Sequence, residues 1–317
     1  MELTDVYNAW LPVKRRQVKM SSLACYQLIF MNVLQPKFGK THVESLSKKV
    51  VMPFIYELLD SGSKSVKYCR DILIVLRMLI RFAGDELDLD VPDSIWKVVW
   101  PTKNKTGNSH VERYSNAEYR KIVDYAIANP SPLSLGILIT ICTGMRIGEI
   151  CALQWKDVDL DEKTIHVSKT MLRIYVLDNI GTDRKNTKIQ IGSPKTSSSD
   201  RYIPILKSIL PIIKKFHAVC NPDYYVCTCS DKYVEPRLFR SYYTDFILEK
   251  VKIGHCIKFH MRRHTFASTL IENKMDIKTV STILGHSDIN TTLNIYVHPS
   301  EDAKRDAVNV GLKKIFK

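Results

Sequence analysis

The sequence predicts a mainly α-helical protein with a small antiparallel β-sheet, divided into a helical segment over residues 1–107 and an α+β segment over 108–317. Three observations carry this expectation. Apolar stretches with helix-compatible spacing dominate residues 20–84. Four short runs that alternate or carry β-branched residues lie between residues 163 and 205, separated by turn-forming stretches. Between these regions, WPTKNKTGNSHVERY at residues 100–114 is polar and contains Pro, Gly and Lys, the composition of a linker.

The elements follow in order. SSLACYQLIFMNVLQ reads as a helix. THVESLSKKVVMPFIYELLDSG reads as a second, opened by Thr41 and Glu44 in capping-box spacing and stopped near Gly62. SKSVKYCRDILIVLRMLIRFAG reads as a third, stopped near Gly84. In it Lys64, Lys67, Arg70, Arg77 and Arg81 fall broadly along one stripe, while Ile72, Val75, Leu76 and Leu79 are available for packing. After the linker, Ser115 and Glu118 form a second capping-box signature. LSLGILITICTG and IGEICALQ read as helices. KTIHVSKT, RIYVLD, KIQIG and RYIPI read as the strands of the sheet, the last two joined by the polar turn SPKTSSSD. Helix returns from about residue 207.

Composition narrows the partners. With 45 % hydrophobic residues a substantial core is expected, and 317 residues suffice for two domains. The net charge is +14. Residues 1–105 hold 16 Lys and Arg against 11 Asp and Glu, and the remainder 31 against 22, so both halves are basic. A distributed positive charge of this size points to a polyanion, most simply nucleic acid. The eight cysteines are scattered with no CxxC pair, and Cys220, Cys227 and Cys229 fit no standard zinc spacing, so reduced thiols and no metal site are expected. The N-terminus lacks a signal-peptide apolar region, and no apolar run approaches the roughly 18 residues that a membrane span needs. A cytoplasmic setting without membrane contact follows.

Four places concentrate reactive side chains. TGMRIGEICALQW carries Arg146 and Glu149 three residues apart, on one helix face; a surface ion pair is the plainer alternative. GSPKTSSSDRY presents Lys195 at the tip of an expected hairpin, where a solvated lysine would be ordinary. FHMRRHTFAS holds His260, Arg262, Arg263 and His264 within an apolar frame, with His260 and Arg263 on one helix face. A cation near a packed face costs free energy unless a partner neutralises it. LGHSDINTTLNIYVH carries His286 and, ten residues on, Tyr296, with Ser287 or Asp288 available to start a short helix. No P-loop, GxGxxG, HExxH or GxSxG motif occurs, which argues against ATP-dependent, dinucleotide-dependent, zinc-protease and α/β-hydrolase chemistry.

Together these residues fit phosphoryl transfer at a phosphodiester. A pentavalent phosphorus spreads negative charge over its non-bridging oxygens. Two arginines can clamp those oxygens and a histidine can add a donor. A tyrosine hydroxyl can attack phosphorus, and a lysine can protonate the departing oxygen. The guanidinium groups supply the positive charge, so neither a metal nor another cofactor is expected.

In this combination the sequence resembles the tyrosine recombinases, the phage-integrase-type site-specific DNA recombinases. TGMRIGEICALQWKDVDL resembles the box of the first catalytic arginine, which implies that role for Arg146, with Glu149 as its acidic companion. Lys195 matches the family's hairpin lysine. HMRRHTFAS matches the His-x-x-Arg-His box, assigning His260 and Arg263 and leaving His264 as a supporting residue. ILGHSDINTTLNIYVH matches the last box, with His286 as a donor and Tyr296 as the nucleophile. Four boxes in the family's order, over roughly residues 110–300, carry the resemblance. Two positions depart from it. Arg262 stands where an apolar residue is common, leaving DNA, solvent or an ion pair as its partner. Lys274 stands where a helix-terminating glycine is common, a job that falls to Asn273.

The resemblance implies a helical core-binding domain at 1–107, with Lys64, Lys67 and Arg70 as DNA contacts, and a catalytic domain at 108–317. It also implies the two-domain plan without an additional arm-type domain. The two domains close as a clamp on double-stranded DNA recombination sites. The expected reaction proceeds through a 3′-phosphotyrosyl link within a homotetramer, through a Holliday junction and without ATP. Accessory DNA-bending proteins are further expected partners. The C-terminal EDAKRDAVNVGLKKIFK is expected to dock on a neighbouring protomer or to pack on its own subunit. A nucleoid-associated bacterial or mobile-element setting follows. The alternatives are a type IB topoisomerase-like nicking–closing enzyme and an inactive DNA-binding regulator of the same fold.

Overall fold

A computed structural model describes residues 1–92, 98, 100, 113–176, 187–194 and 197–296. The chain forms two compact units, residues 1–108 with 173–188 and residues 109–172 with 189–317.

The first unit opens with α1 (Leu3–Gln17) and α2 (Met20–Ile29). The latter runs through a π-helical turn at Phe30–Leu34 into α3 (Gln35–Phe38). Next come α4 (Lys48–Asp60) and α5 (Val66–Leu87). A buried cluster built from Leu3, Val6, Tyr7, Phe30, Leu34, Ile55, Ile72, Leu76 and Leu79 holds them together, with the Tyr7 and Phe30 rings stacked 3.6 Å apart.

Two expected boundaries shift. Thr41 and Glu44 do not cap α4, which starts at Lys48. Val43–Ser45 instead form a 3-10 turn, and Glu44 accepts the Met1 ammonium at 2.9 Å. Nor does α5 stop at Gly84. It runs to Leu87 and is capped by Asp88 in the left-handed conformation. A Cβ on Gly84 would lie 2.9 Å from Val91 Cγ2, so the glycine there serves close packing. Lys64 also leaves the expected stripe, because it precedes the helix N-cap, Ser65. It lies 5.5 Å from the Tyr68 ring, and the Arg70 guanidinium lies 5.2 Å from the Trp100 ring.

The second unit starts with α6 (Asn116–Ala128), where the expected capping box is present: Ser115 Oγ accepts from the Glu118 N–H at 3.3 Å, and Glu118 Oε2 from the Ser115 N–H at 2.8 Å. Buried along almost its whole length, α7 (Pro132–Thr143) is followed by the short α8 (Ile147–Ala152). Five strands follow among the described residues, β3 and β4 running into the segment 173–188 that is grouped with the first unit: β1 (Val158–Asp159), β2 (Thr164–Val167), β3 (Thr170–Tyr175), β4 (Thr187–Gly192) and β5 (Arg201–Pro204). They form two antiparallel sheets rather than the single one expected. One has the order β1-β2-β5, with Ile165 opposite Ile203; the other pairs β3 with β4. The expected hairpin between β4 and β5 is therefore not formed, because β5 takes β2 as its partner. Alternation had set the faces of these strands, whereas the partner is chosen by burial of Ile165, Val167 and Ile203.

The remaining helices are α9 (Leu210–His217), α10 (Pro236–Asp245), α11 (Met261–Glu272), α12 (Ile277–Leu284) and α13 (Ile289–Tyr296). The core gathers Leu135, Ile139, Trp155, Ile165, Phe239, Tyr243 and Ile257. Cys220 and Cys229 form a disulfide across a turn, Cα–Cα 5.8 Å, which corrects the expectation that all the cysteines are reduced thiols. Among the described residues no helix is long and apolar enough to cross a membrane, and no His, Cys, Asp and Glu group has a metal-binding arrangement.

Candidate active site

The site is assembled at the ends of two helices. The last carbonyls of a helix have no intrahelical donors, and the helix dipole makes them the negative pole. Gly144 and Gly285 end α7 and α12 in the left-handed conformation, φ 65° and 66°. These positions need glycine, because a Cβ would lie 2.7 Å from a Phe266 ring carbon at Gly144 and 2.8 Å from the Ser198 carbonyl oxygen at Gly285.

Three arginines take the exposed carbonyls. Arg263, 3 % exposed despite its charge, donates Nη1 to the Gly144 oxygen at 3.1 Å and Nη2 to the Leu284 oxygen. From the N-cap of α8, Arg146 donates Nη2 to the Gly285 oxygen at 3.2 Å. The third, Arg201, donates Nε to the Ile283 oxygen at 2.6 Å. Three consecutive carbonyls at the end of α12 thus face three guanidiniums.

One buried carboxylate sits among them. Glu149 accepts the Arg146 Nη1 at 2.7 Å and the backbone N–H of Arg146 at 2.9 Å. Arg201 reaches both of its oxygens, at 3.2 and 3.0 Å. Burial pushes the Glu149 carboxyl up, but the hydrogen bonds and charge of Arg201, joined by those of Arg146, outweigh it and hold the group below its ordinary range. The plainer alternative of a surface ion pair does not hold: Glu149 is buried and shared between the half-exposed Arg146 and the buried Arg201.

The histidines line this cationic cluster. His260 opens α11 at its N-cap and is exposed to solvent; desolvation of its ring, then the charges of Arg263, Arg146 and Arg262, hold it below its ordinary value. His264 packs edge-on to His260, ring centroids 5.0 Å apart, and burial followed by the charges of His260 and Arg263 lowers it to about 4. His286 follows Gly285 directly. Its Nδ1 pairs with Thr292 Oγ1 at 2.8 Å, and burial with the nearby Arg263 and Arg146 lowers it to about 4 as well. His264 and His286 are therefore neutral at pH 7, and His260 shifts in the same direction.

Tyr296 is the last residue of α13, which packs on α11 and α12, and an Asp288 oxygen accepts the Asn290 N–H at 2.9 Å at the helix start. The side chain of Tyr296, Lys195 and the C-terminal segment from residue 297 lie outside the described residues.

Arg262 is corrected. It does not face DNA or solvent, being 2 % exposed. Its guanidinium lies 3.4 Å from the Phe259 ring centroid and 4.9 Å from that of Tyr243, and it donates to Thr140 Oγ1. Burial, opposed by the tyrosines around it, lowers its pKa to about 10, so it remains a cation. Lys274 is corrected too: it takes the left-handed conformation itself, φ 61°, while Asn273 stays at φ −84°.

Arg201 and Thr292 escaped the sequence reading. For Arg201 a signal existed. Strand period two puts it on the same side as Ile203, hence inward. Thr292 carried none, since its pairing depends on how α13 folds back.

Comparison with known proteins agrees with this architecture. The model of the phage integrase family matches residues 112–303, and that of the phage integrase N-terminal SAM-like domain matches residues 2–59. The tyrosine recombinase XerC-like protein of Caldanaerobacter subterraneus subsp. tengcongensis is 28 % identical over 96 % of this chain and 81 % of its own length. The integrase of Staphylococcus phage L54a is 26 % identical over 94 % and 89 %. Among solved structures, the Tn1549 transposon integrase in complex with transposon right end DNA has a TM-score of 0.72 at 21 % identity, covering all of both chains. A lambda integrase dimer bound to a core site has a TM-score of 0.63 at 15 % identity, covering 95 % and 97 %. With four motif boxes in order and a family match over most of the second unit, the chain belongs to the phage integrase family and is a tyrosine recombinase.

Proposed function

We propose that the protein cleaves and rejoins double-stranded DNA at specific sites through Tyr296. The Tyr296 hydroxyl gives up its proton to water as its oxygen attacks phosphorus, forming a 3′-phosphotyrosyl bond and breaking the bond to the 5′ oxygen, which takes a proton from Lys195. A 5′-hydroxyl from the partner strand then attacks the phosphotyrosine and returns its proton to Lys195, restoring a phosphodiester and releasing Tyr296, which regains a proton from water. The bond energy is conserved, so ATP has no role.

The observation that carries this reading is the surplus of guanidinium over carboxylate. Arg146 and Arg201 share the carboxylate of Glu149, and the Arg263 guanidinium is held beside them on two backbone carbonyls, so this group of three guanidiniums and one carboxylate carries net positive charge where a phosphate needs it. Arg146 and Arg263 clamp the non-bridging oxygens, and their ties to helix ends fix their geometry before substrate arrives. In this reading the Thr292 hydroxyl donates to His286 Nδ1, which leaves the proton of the neutral ring on Nε2 as a donor. His260 acts likewise at the rim, and His264 supports it edge-on.

In this proposal residues 1–107 form the core-binding domain, with Lys64, Lys67 and Arg70 on the DNA backbone, and residues 108–317 form the catalytic domain. Four protomers exchange strands through a Holliday junction, with the C-terminal segment passed between neighbours and DNA-bending proteins assisting. A suicide duplex nicked near the cleavage point, built on inverted repeats sought in the DNA flanking the gene, tests it. A covalent adduct that forms in EDTA, and exchange between two sites in the intact substrate, are expected. Relaxation of supercoils without exchange would instead favour a nicking–closing enzyme.

A further inference from the structure

We infer that Arg201 is a positioning residue of this centre: it neutralises Glu149 so that Arg146 keeps its charge for the scissile phosphate, and it ties that pair to the end of α12. The inference rests on the recombinase reading above.

The geometry separates Arg201 from the arginines that meet substrate. A guanidinium has five N–H donors. Arg201 engages four of them: Nε on the Ile283 oxygen, Nη1 on Glu149 Oε1 and the Ser199 oxygen, and Nη2 on Glu149 Oε2. Only one donor is left, and with its side chain 4 % exposed it has no access to substrate. Arg146 engages two through its side chain, on Glu149 Oε1 and the Gly285 oxygen, and its side chain is 36 % exposed. Two arginines thus face one carboxylate, one sealed in and one open. With Arg146 as its sole partner, Glu149 would cancel the charge that the phosphate requires. The fork of Arg201 supplies that cancellation from behind.

Arg201 also couples two parts of the site. Glu149 accepts the Arg146 backbone N–H and so holds the start of α8. Ile283 stands three residues before His286, whose own backbone N–H is held by Ser281. One planar group therefore sets Arg146 on one side and the approach to His286 on the other. A lysine has the charge but cannot span both oxygens and the carbonyl.

Single-turnover cleavage of the nicked suicide duplex tests this with R201Q, R201K, E149Q and the double variant, each checked for folding by its melting transition. R201Q is expected to cleave on the order of 100-fold slower, the cost of roughly 1 Å of misplacement, with DNA affinity near that of the parent. Its rate should also gain an acid limb absent from the parent, rising as pH falls, because Glu149 without the fork protonates closer to neutrality and then no longer cancels the charge of Arg146. The acid limb should vanish in the double variant, and the loss there should be smaller than the product of the single losses. If R201Q does not fold, R201K carries the test: it should lose rate while lacking the acid limb. A loss in R201Q without the limb and fully multiplicative with E149Q would reduce Arg201 to a structural residue. Parental rate and pH profile in R201K would also overturn the proposal. If the parent chain forms no adduct, the recombinase reading itself fails; if it does and the variants behave independently, only the role of Arg201 falls.

Discussion

Replacing Arg262 by Met should leave stability nearly unchanged, while replacing it by Ala should be severe. Arg262 is buried with no carboxylate bonded to it among the described residues, and it stays charged at neutral pH. Its Nε has no hydrogen-bond partner among the described residues. Removing the cation forfeits two desolvated ring contacts, about 2 kcal/mol each, and a charged hydrogen bond to Thr140, about 1.5–3 kcal/mol. It also removes the effective penalty of burying an ion, several kcal/mol. The opposing contributions nearly cancel, so Met, which refills the space, should fall within about 2 kcal/mol of the parent. Ala leaves a cavity among Phe259, Tyr243 and Thr140, adding about 2–5 kcal/mol. At about 2–4 °C per kcal/mol for a unit of this size, the two variants should melt well apart. Melting curves and the salt dependence of DNA affinity are the assays. Equal destabilisation by Met and Ala, or a salt slope reduced by about 0.9 in R262M, would refute the buried-cage account; the second result would mean that Arg262 reaches a phosphate.

Three further outcomes are expected. Lys274→Gly should stabilise the protein by about 1 kcal/mol, because Lys274 bears the cost of a left-handed backbone that glycine adopts freely; a lower melting temperature would contradict this. His264 and His286, lowered to about 4 in the folded state, bind fewer protons there than in the unfolded chain between about pH 6.5 and 4. Stability should therefore be full above that window and fall as pH drops through it, with a smaller fall in H264F; a pH-independent melting temperature would be inconsistent. Neutralising Lys67 and Arg70, both exposed on α5, should reduce the salt slope of DNA affinity by roughly one per contact, and an unchanged slope would mark them as solvated side chains.

Local signals proved readable where partner and residue lie close in sequence. The Ser115–Glu118 capping box and the Arg146–Glu149 spacing each join residues three apart, and both are present. What spacing could not supply was depth. The same Arg146–Glu149 pair fits a surface contact or a buried one, and the difference comes from Arg201, 52 residues away from Glu149. The Arg262 cage was illegible for the same reason: Phe259 lies three residues before it, but Thr140 and Tyr243 reach it from α7 and α10. The two-sheet arrangement was equally out of reach, because alternation assigns a face to each strand and says nothing of β2 choosing β5. Lys274 shows the converse limit: a local propensity against left-handed lysine gave way to the tertiary turn between α11 and α12.

The most direct test of the central claim is to identify the residue that holds the DNA. The trapped adduct, digested with protease and nuclease and read by mass spectrometry, should carry its nucleotide remnant on the peptide containing Tyr296, attached through a 3′-phosphate, and Tyr296→Phe should yield no adduct. A remnant on any other residue, or an adduct that persists in Tyr296→Phe, would contradict the account.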